Sequence, residues 1–209
     1  MPGPTLSTDA FVLGTHPPTD KYFRVDLFSA EAGAIVAYQR LSRKGGTLDL
    51  FDHVRADLDA TPQGEAWFVR DTRLLGKPEG MGRSYEALQH ASLFARAVLA
   101  NPVPDESRIP VYELIGQSLH SFGSGNRPDI TLFKSLFVLI RDEGYPLRQH
   151  WLPTLSAPDQ VKVKELLARP IKDQDAAATD VRRLLGRFVE YLQGHTEFRL
   201  PGMEEFACR

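Results

Sequence analysis

The sequence predicts an α+β protein with two domains, an N-terminal OB-fold β-barrel followed by a C-terminal α-helical bundle. Strand-like runs separated by turn residues occupy residues 9–75, and no helical pattern interrupts them. From Ser84 onward the apolar residues recur at helical spacing instead. Several short strands without helices between them favour a small closed barrel. We therefore expect a barrel domain over residues 1–80 and a helical domain over residues 81–209.

The clearest strand lies at residues 22–28, where apolar and polar residues alternate. Its two faces are formed by Phe23, Val25 and Leu27 on one side and by Tyr22, Arg24, Asp26 and Phe28 on the other. A period of two is typical of a half-buried strand. Gly33 then supplies a turn residue that is free to adopt positive φ, and residues 34–40 return as the next strand.

Three further strands complete the predicted barrel, and five helices follow it. The strands are expected at residues 11–13, 48–58 (bent near Phe51 or Asp52) and 65–75. The helices are expected at residues 84–100, 110–122, 129–142, 158–168 and 179–193. The predicted buried stripe of the first helix is Tyr85, Leu88, Ala91, Phe94 or Ala95, and Val98. The third helix is apolar nearly all round, which places it inside the bundle, and the fifth is expected to begin with a Thr or Asp cap.

Composition limits the classes of function. A net charge of −2 provides no global basic field, so contact with a polyanion must depend on a local patch. No apolar run approaches the ~20 residues of a membrane helix, and residues 1–4 do not show the basic and apolar blocks typical of a signal peptide. The single cysteine, Cys208, cannot form an internal disulfide or a cysteine-based zinc site. We expect a cytoplasmic protein.

The sequence contains no recognisable catalytic or metal-binding constellation. Its six histidines are scattered singly, and none forms the paired helical motif of a zinc enzyme. The run Gly123-Ser124-Gly125-Asn126 follows a helix, so it is typical of a helix end and not of a phosphate-binding loop. We therefore predict a non-enzymatic protein without cofactors, and an enzyme whose site is not visible in the sequence stays as an alternative.

One face of the predicted barrel combines cations with aromatic rings. The second and third strands of an OB-type barrel are those that bind oligonucleotides, and here they are expected to present Tyr22, Arg24, Tyr38 and Arg40. No Asp or Glu occurs from residue 32 to residue 48, and the turn within this stretch is basic. Rings that stack on bases and cations that bind phosphates are the combination used by single-strand binders. The candidate DNA-binding residues are Arg24, Tyr38, Arg40, Arg43, Lys44 and Arg70; the alternative is a solvated basic turn beside a barrel.

Several short motifs of the chain also occur together in one known family. They are Thr15-His16-Pro17, the run from Leu27 to Gly33, Leu48-x-x-Phe51, the run from Val69 to Leu75, and the run from Arg141 to Pro146. In these motifs, which cover the barrel well and the helical part more thinly, the chain resembles the RecO family of recombination mediators. The resemblance implies a nucleoid-associated protein that binds single- and double-stranded DNA and anneals complementary strands. The implied partners are RecR and the single-stranded-DNA-binding protein, so that RecA can load at gaps.

The chain departs from the RecO pattern in two ways. Many members carry a four-cysteine zinc module, whereas residues 145–168 contain no cysteine here, so we expect no zinc and a segment held by packing around Trp151. The basic turn is also shorter and poorer in Arg and Lys. The alternative function is therefore a protein-only adaptor whose barrel has lost DNA binding.

The last predicted helix is the candidate site for a protein partner. Its apolar stripe consists of Val181, Leu184, Leu185, Phe188 and Leu192. The flanking Arg182, Arg183 and Arg187 are predicted to bind the acidic, aromatic-ended tail of the single-stranded-DNA-binding protein that the resemblance implies. The alternative is that the stripe is core and the arginines are solvated.

Overall fold

The structure is a computed structural model that describes residues 3–19, 21–41, 47–62, 64, 66–142 and 144–206. Within these residues, five β-strands are followed by six α-helices, which confirms the predicted α+β class. The strands are β1 Thr5–Thr15, β2 Tyr22–Ser29, β3 Gly33–Arg40, β4 His53–Ala60 and β5 Trp67–Gly76. The helices are α1 Tyr85–Ala100, α2 Arg108–Ser124, α3 Pro128–Asp142, α4 Leu147–His150, α5 Ala157–Ala168 and α6 Ala178–His195.

The five strands pair in an order that closes the sheet on itself. β1 pairs antiparallel with β2 and with β4, β2 pairs antiparallel with β3, and β4 pairs antiparallel with β5. β3 runs parallel to β5, and this contact completes the ring. The interior is filled by apolar side chains, among them Val12, Val25, Leu27, Ile35, Val54 and Leu58.

The β2–β3 hairpin follows the predicted alternation on its inner face. Phe23, Val25 and Leu27 are buried, and Gly33 has a φ of 68° at the turn, as predicted. The outer face departs from the prediction, since Asp26 is only 8% exposed and Phe28 is fully buried. Outer positions of β2 are therefore exposed only near its beginning.

The segment before β4 is a loop, so the strand predicted from residue 48 is wrong over its first five residues. β4 begins at His53 because Phe51 adopts a left-handed backbone with a φ of 69°, which interrupts an extended ladder. Phe51 N–H donates to the Val12 carbonyl, and Val12 N–H donates to the Asp52 carbonyl. The predicted bend near Phe51 is thus the point at which the strand starts.

Two features of the helices also differ from the sequence prediction. On α1, Tyr85 is 81% exposed and Leu88 is 38% exposed, because the buried stripe is centred on Ala87, Ala91, Phe94 and Val98 instead. α6 begins after Ala177, which offers no side-chain cap, so the predicted Thr or Asp cap is wrong.

The helices pack around an aromatic core. α3 is buried nearly all round, as predicted. Trp151 is fully buried, and its ring lies 4.6 Å from that of Phe188. Phe133 and Phe137 of α3 complete this cluster with ring distances of 6.2 and 6.3 Å to Trp151. The segment around Trp151 is therefore held by aromatic packing.

The chain divides into two compact units. The first contains Met1–Pro78 and Pro102–Gly116, and the second contains Glu79–Asn101 and Gln117–Arg209. The return of residues 102–116 to the first unit is not part of the sequence prediction. In the described part of the chain, each helix is too short or too polar to cross a membrane.

Candidate nucleic-acid interface

Three aromatic rings lie together on the outer side of the closed sheet. The Tyr22 and Phe68 ring centroids are 5.6 Å apart, and those of Tyr38 and Phe68 are 6.3 Å apart. The strand register explains this cluster, because Tyr38 of β3 lies directly beside Phe68 of β5. Tyr22 is 37% exposed and Phe68 is 38% exposed. Contiguous exposed apolar surface of this kind marks interaction sites in many proteins.

Two arginines alternate with these rings across the β2–β3 hairpin. Tyr22 is paired in register with Arg40, and Arg24 is paired with Tyr38. Arg40 is exposed and has no hydrogen-bond or ion-pair partner among the described residues. Arg24 donates from Nε to Asp26 Oδ1 over 2.8 Å, and its side chain is 44% exposed. We call Tyr22, Arg24, Tyr38, Arg40 and Phe68 the β2–β3 face.

Arg70 has a different environment from the other candidate cations. It lies two residues after Phe68 on β5, within 3.8 Å of Asp57 and 3.7 Å of Asp59. Two carboxylates beside one guanidinium leave no excess positive charge there. The electrostatic potential around Arg70 is therefore less positive than that around Arg40, and Arg70 should attract a phosphate less strongly.

The remaining two predicted DNA-binding residues, Arg43 and Lys44, lie outside the residues that the structure describes. Their assignment stays a prediction. The chain on either side of them is anchored to the sheet: Leu41 N–H donates to the Lys21 carbonyl, and Leu48 N–H donates to Gln39 Oε1.

Phe68 is the site residue that sequence reasoning misses. Its neighbours Trp67 and Val69 mark a strand, and the alternation along β5 places Phe68 on the same side as Arg70. That alternation is the available signal. It does not identify the neighbouring strand, however, because the parallel β3–β5 contact joins segments that are far apart in the sequence.

A separate part of the outer surface, on β1 and β4, carries an arginine that is already paired. Both Asp9 carboxylate oxygens accept hydrogen bonds from Arg55, over 2.7 and 2.9 Å. This pairing lowers the pKa of Asp9 and raises the pKa of Arg55. We call Asp9, His53, Arg55, Asp57 and Asp59 the β1–β4 face. A cavity of about 290 Å³ beside it is lined by Ser7, Thr8, Asp9, Ala30, Glu31, Arg55 and Tyr112.

Aromatic groups next to the β1–β4 face pack on one another. The Phe11 and His53 rings stack with centroids 4.4 Å apart, and His53 Nε2 lies 2.8 Å from the Tyr112 hydroxyl. Burial lowers the pKa of His53 and raises the pKa of Tyr112. These rings form a small structural cluster.

The predicted partner site on α6 lacks an accessible apolar stripe. Val181, Leu184, Leu185, Phe188 and Leu192 are all at most 1% exposed, so the stripe belongs to the core, which was the alternative interpretation. Binding by the flanking arginines stays a prediction. Arg187 is exposed, and Arg182 lies 5.9 Å from the centre of the Phe206 ring.

Arg183 forms a well-defined ion pair within the helical unit. Its two terminal amino groups donate to both carboxylate oxygens of Asp159, over 2.7 and 2.8 Å. These hydrogen bonds lower the pKa of Asp159 to about 2 and raise that of Arg183. Arg183 therefore joins α6 to α5 through its guanidinium.

A separate groove in the helical unit combines apolar walls with cations, the chemistry that the sequence predicts for the site on α6. It has a volume of about 350 Å³ and is lined by Phe137, Arg148, Leu152, Lys164, Leu167 and Ala168. Arg148 and Lys164 are both exposed. Within the described part of the chain, neither has an ion-pair partner. The groove thus combines apolar walls with two available cations.

The described residues contain no group of three or more His, Cys, Asp or Glu side chains arranged to hold a metal ion. A scan against protein-family models gives no match to this chain, and a search of the curated proteins gives none either.

Proposed function

We propose that this chain is a non-enzymatic, RecO-like recombination mediator that binds single-stranded DNA on the β2–β3 face. The observation that carries the proposal is the adjacency of three accessible rings to two arginines on neighbouring strands. Stacking of a base on an aromatic ring contributes about 1–3 kcal/mol, whatever the base. We therefore expect single-strand binding with little sequence preference.

The topology of the sheet supports assigning it to the OB fold. Five strands form a closed ring in which β1 contacts both β2 and β4, and β3 contacts β5 in parallel. A five-stranded Greek-key barrel that binds oligonucleotides across strands two and three is the OB arrangement. The β2–β3 face occupies that position.

Single strands should bind better than duplexes. In a duplex the faces of the bases are covered by their neighbours, so Tyr22, Tyr38 and Phe68 can stack only on unpaired bases. A duplex can still contact Arg24 and Arg40 through its phosphates, and that contact is salt-dependent. Binding to both forms, as the RecO resemblance implies, is therefore expected with different strengths.

The mediator role is supported by the sequence motifs shared with the RecO family. Two of these are Thr15-His16-Pro17, which begins at the end of β1, and the run from Leu27 to Gly33, which covers the end of β2 and the turn into β3. On this basis we propose strand annealing and cooperation with RecR and the single-stranded-DNA-binding protein to load RecA. The proposed location is the cytoplasm, in association with the nucleoid.

The groove lined by Phe137, Leu152 and Leu167 is our proposed site for the tail of the single-stranded-DNA-binding protein. An acidic peptide that ends in an aromatic residue needs an apolar pocket for the ring and cations for its carboxylates. Arg148 and Lys164 supply those cations. The groove meets this need better than α6, whose apolar stripe is buried.

Calorimetry with a synthetic tail peptide distinguishes the two locations. The Lys164→Glu variant should lose peptide binding, whereas the matched Arg187→Glu variant on α6 should retain it. Both residues are exposed, so the melting temperature should change little in either case. Loss of binding in the Arg187→Glu variant alone would return the site to α6.

A protein-only adaptor is the second candidate function. It is favoured by the net charge of −2 and by the ion pairs that already occupy Arg24 and Arg70. An adaptor would bind tail peptide or RecR without binding DNA.

Fluorescence anisotropy of a labelled oligothymidylate, titrated with the full chain at two salt concentrations, separates these functions. The mediator proposal predicts saturable binding that weakens as salt rises, because cations contact phosphates. Binding should also exceed that of a duplex of the same length. A chain that is folded and does not bind the oligonucleotide at low salt would instead be an adaptor.

A further inference from the structure

A buried carboxylate lies directly behind the β2–β3 face. Asp26 is 8% exposed, and each of its oxygens has a partner. Oδ1 accepts the hydrogen bond from Arg24 Nε over 2.8 Å, and Oδ2 lies 2.7 Å from His16 Nε2. A buried charge is costly unless it is paired and hydrogen-bonded. The three side chains therefore stabilise one another as a unit.

A glycine on the neighbouring strand leaves the space for this carboxylate. Gly14 is paired in register with Asp26, just after an irregularity in β1 between Val12 and Gly14. A Cβ atom at position 14 would lie 3.0 Å from Asp26 Oδ2 and 3.3 Å from Asp26 Cβ. Any larger residue at position 14 would therefore press on the carboxylate.

The contact with Asp26 uses only one edge of the Arg24 guanidinium. The group is planar and presents its donors in a rigid fork. Nε is bound to Asp26, whereas neither terminal amino group has a partner among the described residues. The side chain as a whole is 44% exposed. Fixing Nε therefore fixes the plane in which the two free amino groups lie.

We propose that Asp26 is a positioning residue that holds Arg24 so that its two terminal amino groups bind one phosphate of the DNA backbone. This inference rests on the proposed function of the β2–β3 face. A bidentate contact between arginine and phosphate requires a defined guanidinium orientation. A side chain that is already oriented loses less conformational entropy on binding. Asp26 thus aids DNA binding although its own charge repels DNA.

If Asp26 positions Arg24, replacing Asp26 changes DNA affinity in the direction opposite to the one that its charge alone predicts. By Coulomb's law alone, removing a negative charge near a phosphate should strengthen DNA binding. If Asp26 orients Arg24, replacing its carboxylate by a neutral amide should weaken binding, because an uncharged acceptor holds the guanidinium less firmly. The direction of the change therefore separates the two effects.

The test is an anisotropy titration of labelled oligothymidylate with the parent chain and with the Arg24→Ala, Asp26→Asn and doubly substituted variants. We expect Arg24→Ala to weaken binding and Asp26→Asn to weaken it by about fivefold, within the coupling range of contacting residues. The double variant should bind no more weakly than Arg24→Ala alone, since Asp26 acts only through Arg24. If Asp26→Asn weakened binding only by disturbing the fold, it would weaken binding further in the Arg24→Ala background as well.

A matched control and a second variant complete the design. Asp9→Asn also removes a carboxylate bound to an arginine, but on the β1–β4 face, and it should leave binding unchanged or slightly tighter. Gly14→Ala keeps all charges and places a Cβ atom 3.0 Å from Asp26 Oδ2, so we expect it to shift the carboxylate and to weaken binding even if Asp26→Asn folds poorly.

The possible failures are distinguishable. If Arg24→Ala weakens binding while Asp26→Asn and Gly14→Ala do not, the positioning role is overturned and the DNA-binding function stands. If Arg24→Ala has no effect on a parent chain that binds DNA, Arg24 does not contact phosphate and the positioning role falls with it. A parent chain that does not bind DNA overturns both.

Discussion

The β2–β3 face and the β1–β4 face contain similar residue types, but these residues differ in ion pairing and in exposure. On the β1–β4 face, Arg55 gives two hydrogen bonds to Asp9. On the β2–β3 face, Arg40 has no partner among the described residues, and Arg24 uses a single nitrogen. Near the β1–β4 face the Phe11 ring packs on His53, whereas the Tyr22 and Phe68 rings of the β2–β3 face are more than a third exposed. The two surfaces therefore differ less in how many cations and rings they carry than in whether those groups are free to contact a ligand.

The difference has a direct energetic meaning for polyanion binding. A cation that neutralises a phosphate releases condensed counterions, and this release drives binding. An arginine such as Arg55, which gives two hydrogen bonds to one carboxylate, must first lose that partner, and this loss offsets the gain. We therefore propose that DNA binds on the β2–β3 face, although the whole chain carries a net charge of −2.

The largest expected effect comes from removing rings of the β2–β3 face. The double variant Tyr38→Ala/Phe68→Ala should lose about 1–3 kcal/mol of single-strand binding for each base that no longer stacks. Binding to duplex should change much less. Anisotropy titrations with a single-stranded oligonucleotide and its duplex measure both quantities.

Tyr85→Ala is the control for this ring removal, since Tyr85 is 81% exposed and lies in the second unit. It should leave DNA binding unchanged. If the ring variant binds single strands as tightly as the parent does, the β2–β3 face is not a stacking surface.

The next largest effect is expected from replacing the unpaired Arg40, with the paired Arg55 as its comparison. Arg40→Ala should weaken single-strand binding and reduce the salt dependence by about 0.7 in the slope of log K against log salt, the contribution of one phosphate contact. Arg55→Ala should leave that slope unchanged, because Arg55 is bound to Asp9. Titrations at several salt concentrations give both slopes. Equal losses in the two variants would mean that binding senses only overall charge.

A smaller effect is expected at Arg70, which lies between two carboxylates. Arg70→Ala should weaken DNA binding less than Arg40→Ala does. The double variant Asp57→Asn/Asp59→Asn should strengthen it, since Arg70 then becomes available to phosphate. Binding that stays unchanged in the double variant would show that DNA does not reach Arg70.

The smallest expected effect is a change in the pH dependence of stability when His53 is replaced, which would show that this residue of the β1–β4 face is structural. Burial depresses the pKa of His53 below its ordinary value of 6.5. Its contribution to stability is therefore fully present above about pH 6.5 and is lost as the pH falls through the folded-state pKa. Denaturant unfolding at pH 7 and pH 5 should show a smaller loss of stability in His53→Gln than in the parent. A loss equal to that of the parent would contradict this role.

The sequence predicts the parts of the site that depend on local alternation. Tyr22, Arg24, Tyr38 and Arg40 are assigned to one side of a hairpin by a period of two, and the register agrees with this. Phe68 escapes prediction because its position beside Tyr38 depends on a parallel contact between distant segments. No local pattern encodes such a contact.

Charge pairing is equally hidden from the sequence. Arg24, Arg70 and Arg183 appear as free cations in the sequence, yet each has a carboxylate within ion-pair distance in the structure. The partner of Arg183 is 24 residues away, so no spacing rule identifies it. Burial of Asp26 depends likewise on the absence of a side chain at Gly14.

Photocrosslinking tests the central claim most directly. An oligodeoxynucleotide that carries 5-iodouracil, a base that crosslinks efficiently to stacked aromatic rings, would be irradiated with the full chain and the crosslinked peptides identified by mass spectrometry. We expect crosslinks at Tyr22, Tyr38 or Phe68, with a yield that falls as salt rises. Crosslinks confined to rings elsewhere, such as Tyr112 beside the β1–β4 face or Tyr85 of α1, would contradict it.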